Sequence, residues 1–342
     1  MQGVSEKAHP AFFIYKNTYK LQATSMDQSN TITDFSSMGQ AYVEFLEKQG
    51  RHSSAHIYRN ALHSFHEFAQ CSHVQFESIN AELLKSYELH LQKNGASANT
   101  ISTYLRMLRS IYNRGVDAQI APFQPRLFHK VYTGIDSHHK RALNVAQLHL
   151  LLYSEVDTDE LKHTQLTARA IFQLCGIPFA DFVRLRQENI QGTVLSYRRK
   201  KTGIAVNIEL LPCIRQTLDQ LTGKGSDTSS RSFLSGILPA DVDTYDSSIR
   251  HKLYTSALRR FNRHLNQLAD HVGLSLHISS YTLRHSWATL AKHQGSPVEA
   301  ISEMLGHTSI KTTQIYLKGF ELPTLTKVNR RNCESVAQGY LL

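Results

Sequence analysis

Between Thr33 and Ala118 the apolar residues recur at helical intervals, and this periodicity limits the fold more tightly than any other feature of the chain. Met38, Tyr42, Phe45 and Leu46 form one stripe, Tyr58, Leu62 and Phe65 a second, and Leu84, Tyr87 and Leu91 a third. Asn80 is placed to cap the third helix and Gly95 to end it, while Ser97 and Asn99 reopen the chain into a fourth. Each stripe is one-sided and must be buried against the others, which predicts an all-helical module of four helices joined by short turns.

In the fourth helix Ile101, Tyr104, Leu105, Leu108, Ile111 and Tyr112 face one way. Ser102, Thr103, Arg106, Arg109 and Asn113 face the other, a set of donors compatible with phosphate. On charge pattern alone, that face reads first as the solvated side of an amphipathic helix.

Residues 121–140, APFQPRLFHKVYTGIDSHHK, carry two prolines and several basic residues without a sustained period, and read as a basic interdomain linker. Beyond it, Leu143 to Ile177 is helical in pattern, TVLSYRRKKTGIAVNIEL reads as two β-type runs around a KKTG turn, and Ser247 to Val272 is helical again. The fold class expected is therefore mainly α with a small antiparallel β-sheet, in two domains over residues 33–120 and 141–320. Residues 1–32 form an N-terminal extension, and residues 321–342 a tail whose apolar end, Tyr340, Leu341 and Leu342, is suited to docking on a neighbour.

With 38 Lys and Arg against 28 Asp and Glu, the chain carries a formal charge of +10, which favours a polyanionic partner such as nucleic acid. Cys71, Cys175, Cys213 and Cys333 lie far apart without a CxxC pair, which argues against a zinc ribbon or a disulfide scaffold and fits a reducing cytoplasm. No stretch reaches the length needed to span a bilayer.

The residues able to do chemistry gather between Ser280 and Leu317. Ser296, Pro297 and Glu299 have the spacing of a capping box with Pro at the first helical position. Val298, Ile301 and Leu305 supply a buried face, and Gly306 ends the helix, so His307 is held at a defined corner. A second short helix starts at Ser309, with Tyr316 two turns along it, able to reach a site that His307 and Arg284 also face.

Taken together these residues resemble the C-terminal signature of the tyrosine recombinases of the phage-integrase type. The HxxR, LGH and TxxxY boxes of that family stand here as Tyr281-Thr282-Leu283-Arg284, Leu305-Gly306-His307 and Thr312-Thr313-Gln314-Ile315-Tyr316. Upstream, NTISTYLRMLRSIYNRGVD resembles the last helix of the family's core-binding domain, and SYRRKKTG its lysine-bearing β-turn. The resemblance implies a helical core-binding domain followed by an α+β catalytic domain. It also implies a transesterification in which Tyr316 attacks a DNA phosphate, forms a 3′-phosphotyrosine and is later displaced by a 5′-hydroxyl, with neither metal nor cofactor.

In that scheme Arg284 grips the phosphate through two parallel hydrogen bonds, His307 bonds the phosphate or takes the phenol's proton, and Lys201 is the general acid with Lys200 as its alternative. Arg106, Arg109, Lys200 and Arg199 are expected to contact DNA. The implied partners are double-stranded recombination sites, a homotetramer across two such sites and DNA-bending accessory proteins. The implied location is the bacterial cytoplasm, on the nucleoid.

Two positions depart from the family pattern. Tyr281 stands where the HxxR box has His, and a phenol is not a cation near neutral pH. Gly176-Ile177-Pro178-Phe179-Ala180-Asp181 resembles the box of the first catalytic arginine, with Pro178 in the arginine's place. Losing one transition-state donor costs roughly a hundred- to a thousand-fold in rate. Arg184, Arg186 and Arg199 are the replacements in reach, and the sequence does not choose among them. Some integrases of bacterial mobile elements also lack this arginine, and the GIPF and RHSWAT wording resembles theirs. The alternatives to a recombinase are a weak or inactive DNA-binding relative and a type IB topoisomerase-like enzyme.

Overall fold

A computed structural model describes residues 32–134, 142–222 and 233–316, with short helical pieces at 326, 329–330 and 333–334. The N-terminal extension up to residue 31 and the apolar end of the tail lie outside the described residues. The chain divides into two compact units, residues 1–136 and 137–342.

Among the described residues, four helices build the first unit: α1 (Phe35–Lys48), α2 (His52–Ala69), α3 (Ala81–Lys93) and α4 (Ala98–Asp117). Their starts are set locally. Asn80 Oδ1 accepts from the Leu83 amide at 2.9 Å and Ser97 Oγ from that of Thr100 at 3.2 Å, so both expected caps are made. Asp34 caps α1 in a reciprocal exchange with Ser37.

The four stripes meet in one core around Phe35, Phe65, Phe76, Tyr87, Leu105 and Leu108. The rings of Phe65 and Phe76 both stand edge-on to Phe35, at 5.9 and 5.8 Å. Arg106 and Arg109 are exposed on α4, as expected. Ser102 is not on a solvated face: it is fully buried, and its hydroxyl donates to the Gly134 carbonyl at 2.5 Å.

That contact corrects the expected linker. Leu127, Phe128 and Val131 are buried in the same core, so the first unit extends well past residue 120 because these apolar side chains have a surface to cover. Residues 135–141 lie outside the described ones.

The second unit opens with α5 (Val145–Tyr153) and α6 (Asp159–Gln173), where the periodicity predicts one helical run. The break is chemical: Ser154 turns extended, and the Thr158 hydroxyl accepts from the Leu161 amide to start α6 afresh. The short α7 (Phe179–Phe182) leads to strands β1 (Ile190–Gln191), β2 (Val194–Arg198) and β3 (Ala205–Glu209) in one antiparallel sheet, order β1-β2-β3. β1 had no signal in the sequence, being only two residues long.

In the β2–β3 register, Leu195 faces Ile208 and Tyr197 faces Val206, and all four are buried, as the period of two requires. Further along come α8 (Pro212–Thr222), α9 (Ser247–His271), α10 (Ser280–His293), α11 (Val298–Met304) and α12 (Ile310–Tyr316). The entrance to α10 is tied to α9 by side chains that replace a turn: Asn266 Oδ1 accepts from the Ile278 amide at 2.9 Å, and Asn262 Oδ1 from that of Ser280 at 2.9 Å. No described helix is long and apolar enough to cross a membrane.

Candidate active site

The site is built where α10, the turn before α7, the β2–β3 loop and the end of α11 meet. Arg198 pairs with Ala205 as the last rung of the ladder, and residues 199–204 close the loop. The Gly203 amide reaches back to the Arg199 carbonyl at 2.7 Å, with Gly203 at a φ of 72°. The first residue of that loop, Arg199, is therefore anchored to the sheet and points inward, 7% exposed.

α11 ends in a Schellman turn. The Gly306 amide donates to the Glu303 carbonyl at 2.8 Å and the His307 amide to that of Ser302 at 3.0 Å, with Gly306 at a φ of 61°. A Cβ on Gly306 would fall 2.7 Å from Arg199 Cγ, so glycine is required here both by the backbone and by the close packing. The helix begins one residue later than the Ser296 capping box predicts: Pro297 is the cap, with ψ 142°, and no side-chain cap bond forms.

The Leu305 carbonyl at this helix end is the hub. Arg284, 2% exposed on α10, donates from Nη2 to it at 2.6 Å and from Nη1 to the Gly176 carbonyl at 2.9 Å. Arg199 Nη1 donates to the same Leu305 oxygen. Two guanidinium groups are thus drawn to the negative end of α11. Buried Asp181 offsets their charge, with Oδ2 3.2 Å from Arg199 Nε, and its Oδ1 accepts from the Lys200 amide at 2.9 Å.

Arg284 Nη2 also lies 3.2 Å from Nε2 of His307, whose Nδ1 is 2.8 Å from the Thr313 hydroxyl on α12. Burial first, then the charges of Arg284, Arg199 and Lys201, push the His307 pKa down to about 4, so the ring is neutral at pH 7. Such a concentration of fixed positive charge around a neutral base is chemically suited to gripping an oxyanion while receiving a proton.

The chain matches the phage integrase SAM-like domain over residues 34–131 and the phage integrase family over residues 144–321. It belongs to the phage integrase family. This member is 23% identical over 292 residues to tyrosine recombinase XerC of Halalkalibacterium halodurans, an alignment covering 81% of this chain and 90% of the relative. In fold it is similar to a lambda integrase tetramer bound to a Holliday junction, with TM-score 0.61, 14% identity and coverage of 94% and 90% of the two chains. It is likewise similar to the integrase of transposon Tn1549 in complex with transposon right end DNA, with TM-score 0.57, 17% identity and coverage of 86% and 98%.

Against the integrase boxes, Arg284 and His307 come together as the sequence implied. Lys201 is exposed on the loop, and its charge reaches His307. Lys200 beside it is held below the ordinary lysine range by partial desolvation and by Arg184 and Arg250. Tyr281 is 49% exposed, its ring edge-on to that of buried His285 at 5.3 Å, on the rim rather than in the buried cluster. Tyr316 ends α12, and its side chain lies outside the described residues.

Of the arginines considered for the gap at Pro178, only Arg199 enters the cluster by these bonds. Arg184 Nη1 donates to the Ala180 carbonyl at 2.5 Å, and its guanidinium lies 5.4 Å from the centre of the Tyr254 ring. Arg186 pairs with exposed Asp243 at 2.5 Å and covers Phe233 at 3.9 Å, which commits its guanidinium elsewhere. The ion pair of Asp181, inside the Gly176–Asp181 box, and the contact of Thr313 with His307 have no signal in the sequence. In the TxxxY spacing Thr312 is the matching residue, yet Thr312 is exposed and Thr313 is fully buried against His307.

Proposed function

We propose that this chain is a site-specific DNA recombinase in which Tyr316 is the nucleophile and the Arg284–Arg199–His307 cluster holds the scissile phosphate. The observation that carries this reading is the 3.2 Å contact between Arg284 and His307, at the corner that leads directly into the helix bearing Tyr316.

In the first step the Tyr316 oxygen bonds to phosphorus and the P–O5′ bond breaks. The phenol, with a pKa of about 10, needs a base, and neutral His307 presents Nε2 for its proton. Lys201, on the exposed loop, delivers a proton to the departing 5′ oxygen. Arg284 and Arg199 bind the oxygens on which charge builds, and Arg199 supplies the guanidinium that Pro178 lacks. A later 5′-hydroxyl reverses the step on another strand, so the bond energy is conserved.

Residues 33–134 are assigned to gripping the duplex through Arg106 and Arg109, and Lys200 to the DNA backbone near the site. Exchange of four strands requires four copies on two DNA sites, a reading supported by the lambda integrase of similar fold, which is a tetramer bound to a Holliday junction. The reaction belongs in the bacterial cytoplasm, on nucleoid DNA, with DNA-bending proteins assisting.

The test is covalent trapping on a nicked duplex. The wild type should form a detergent-stable protein–DNA adduct, and Tyr316→Phe should form none while still binding DNA. A wild type that binds but never attaches would leave a DNA-binding relative as the correct reading.

A further inference from the structure

Thr313 is polar, fully buried, and one helical turn before Tyr316 on α12. Its hydroxyl lies 2.8 Å from Nδ1 of His307, while the opposite ring nitrogen, Nε2, lies 3.2 Å from Arg284 Nη2. A guanidinium nitrogen has only hydrogens to offer, so Nε2 must be the lone-pair side of the ring. The proton of a neutral imidazole then sits on Nδ1 and is donated to Thr313 Oγ1.

From this geometry, and resting on the recombinase reading above, we infer that Thr313 is a positioning residue that holds His307 as its Nδ1–H tautomer and makes the base depend on docking of the nucleophile's own helix. Because Thr313 and Tyr316 share α12, the hydroxyl reaches His307 only when that helix is seated. With the helix seated, the Nε2 lone pair is aimed at the phosphate-binding cluster. With it displaced, Nδ1–H loses this acceptor and only the Arg284 contact is left to favour the tautomer, so the ring is no longer held from both sides. A protomer whose tyrosine is withdrawn would therefore also lack a correctly set base, which couples the two at no cost in extra parts.

A residue serving only as packing behaves differently. Valine has nearly the shape of threonine but no hydroxyl, and serine has the hydroxyl but less bulk. Cleavage of a nicked substrate by Thr313→Val should fall on the order of 10- to 100-fold, by analogy with a metal-ligating histidine that loses the group orienting it. DNA binding should stay within about twofold, and Thr313→Ser should recover most of the rate. Nitrogen NMR of ring-labelled wild type should show His307 protonated at Nδ1 near pH 7, and a mixture in Thr313→Val.

A wild-type ring protonated at Nε2, or a valine variant cleaving like wild type while serine fails, would overturn the assignment. The wild-type spectrum needs no variant to fold and no cleavage to occur, so it also tests Thr313 if the recombinase reading itself fails in the trapping assay.

Discussion

Arg199 and Arg284 stand 85 positions apart in the chain and donate to one carbonyl, that of Leu305. One arrives on the loop after β2 and the other on α10, and each has a further partner, the Asp181 carboxylate in ion-pair contact with Arg199 and the Gly176 carbonyl that accepts from Arg284. A residue on a hairpin has thereby come to stand beside the family's arginine in a chain whose first arginine box holds proline.

Replacing Arg199 should therefore impair chemistry more than binding. Arg199→Lys keeps the charge opposite Asp181 but gives up the planar fork, and adduct formation should drop about a hundred- to a thousand-fold, as when one transition-state donor is removed. Single-turnover cleavage beside a gel-shift titration reads both. Equal losses in the two would show that Arg199 is only a DNA contact.

Asp181→Asn should destabilise the second unit, since it strips the counter-charge from a buried guanidinium. Breaking such a pair costs about 3–5 kcal/mol, although the amide oxygen still accepts from the Lys200 amide. Urea unfolding of the variant should show a lower midpoint, accompanied by slower cleavage.

At Gly306 a single methyl group meets two obstacles. The left-handed backbone costs a residue with a Cβ about 1–2 kcal/mol, and displacing the buried Arg199 stem about 1–3 kcal/mol more. Gly306→Ala is expected to lower the thermal midpoint and abolish adduct formation together, whereas Gly273→Ala, at the end of α9 with open space for a Cβ, should incur only the backbone strain.

The depressed His307 pKa makes a signed prediction for stability. Unfolded, the ring binds its proton near 6.5; folded, near 4. Between those values the unfolded chain holds more protons, so this residue's contribution is complete above about pH 6.5 and is lost as pH falls toward 4. Urea midpoints measured across that window should rise with pH, and His307→Gln should flatten the part of the slope this residue supplies. A slope unchanged by the substitution would mean that other groups produce it.

How far the sequence was legible follows from the range of each signal. The stripes of the four N-terminal helices, the caps at Asn80 and Ser97, the β2–β3 hairpin and the glycine stop at Gly306 are all encoded within a few residues of where they act, because they report local backbone geometry. The two-residue strand β1 and the break between α5 and α6 were lost for the opposite reason, being too short to sustain a period. Leu127, Phe128 and Val131 passed for linker because their burial depends on a surface made by other helices.

The same division runs through the site. By itself the sequence determined the order of elements, the corner at His307 and the pairing of that corner with Arg284. Tertiary structure alone decided which arginine joins them, and that Thr313 rather than Thr312 faces the histidine. Those choices turn on where a hairpin loop and a helix end meet across 106 residues of chain, and no periodicity within either segment records the distance between them.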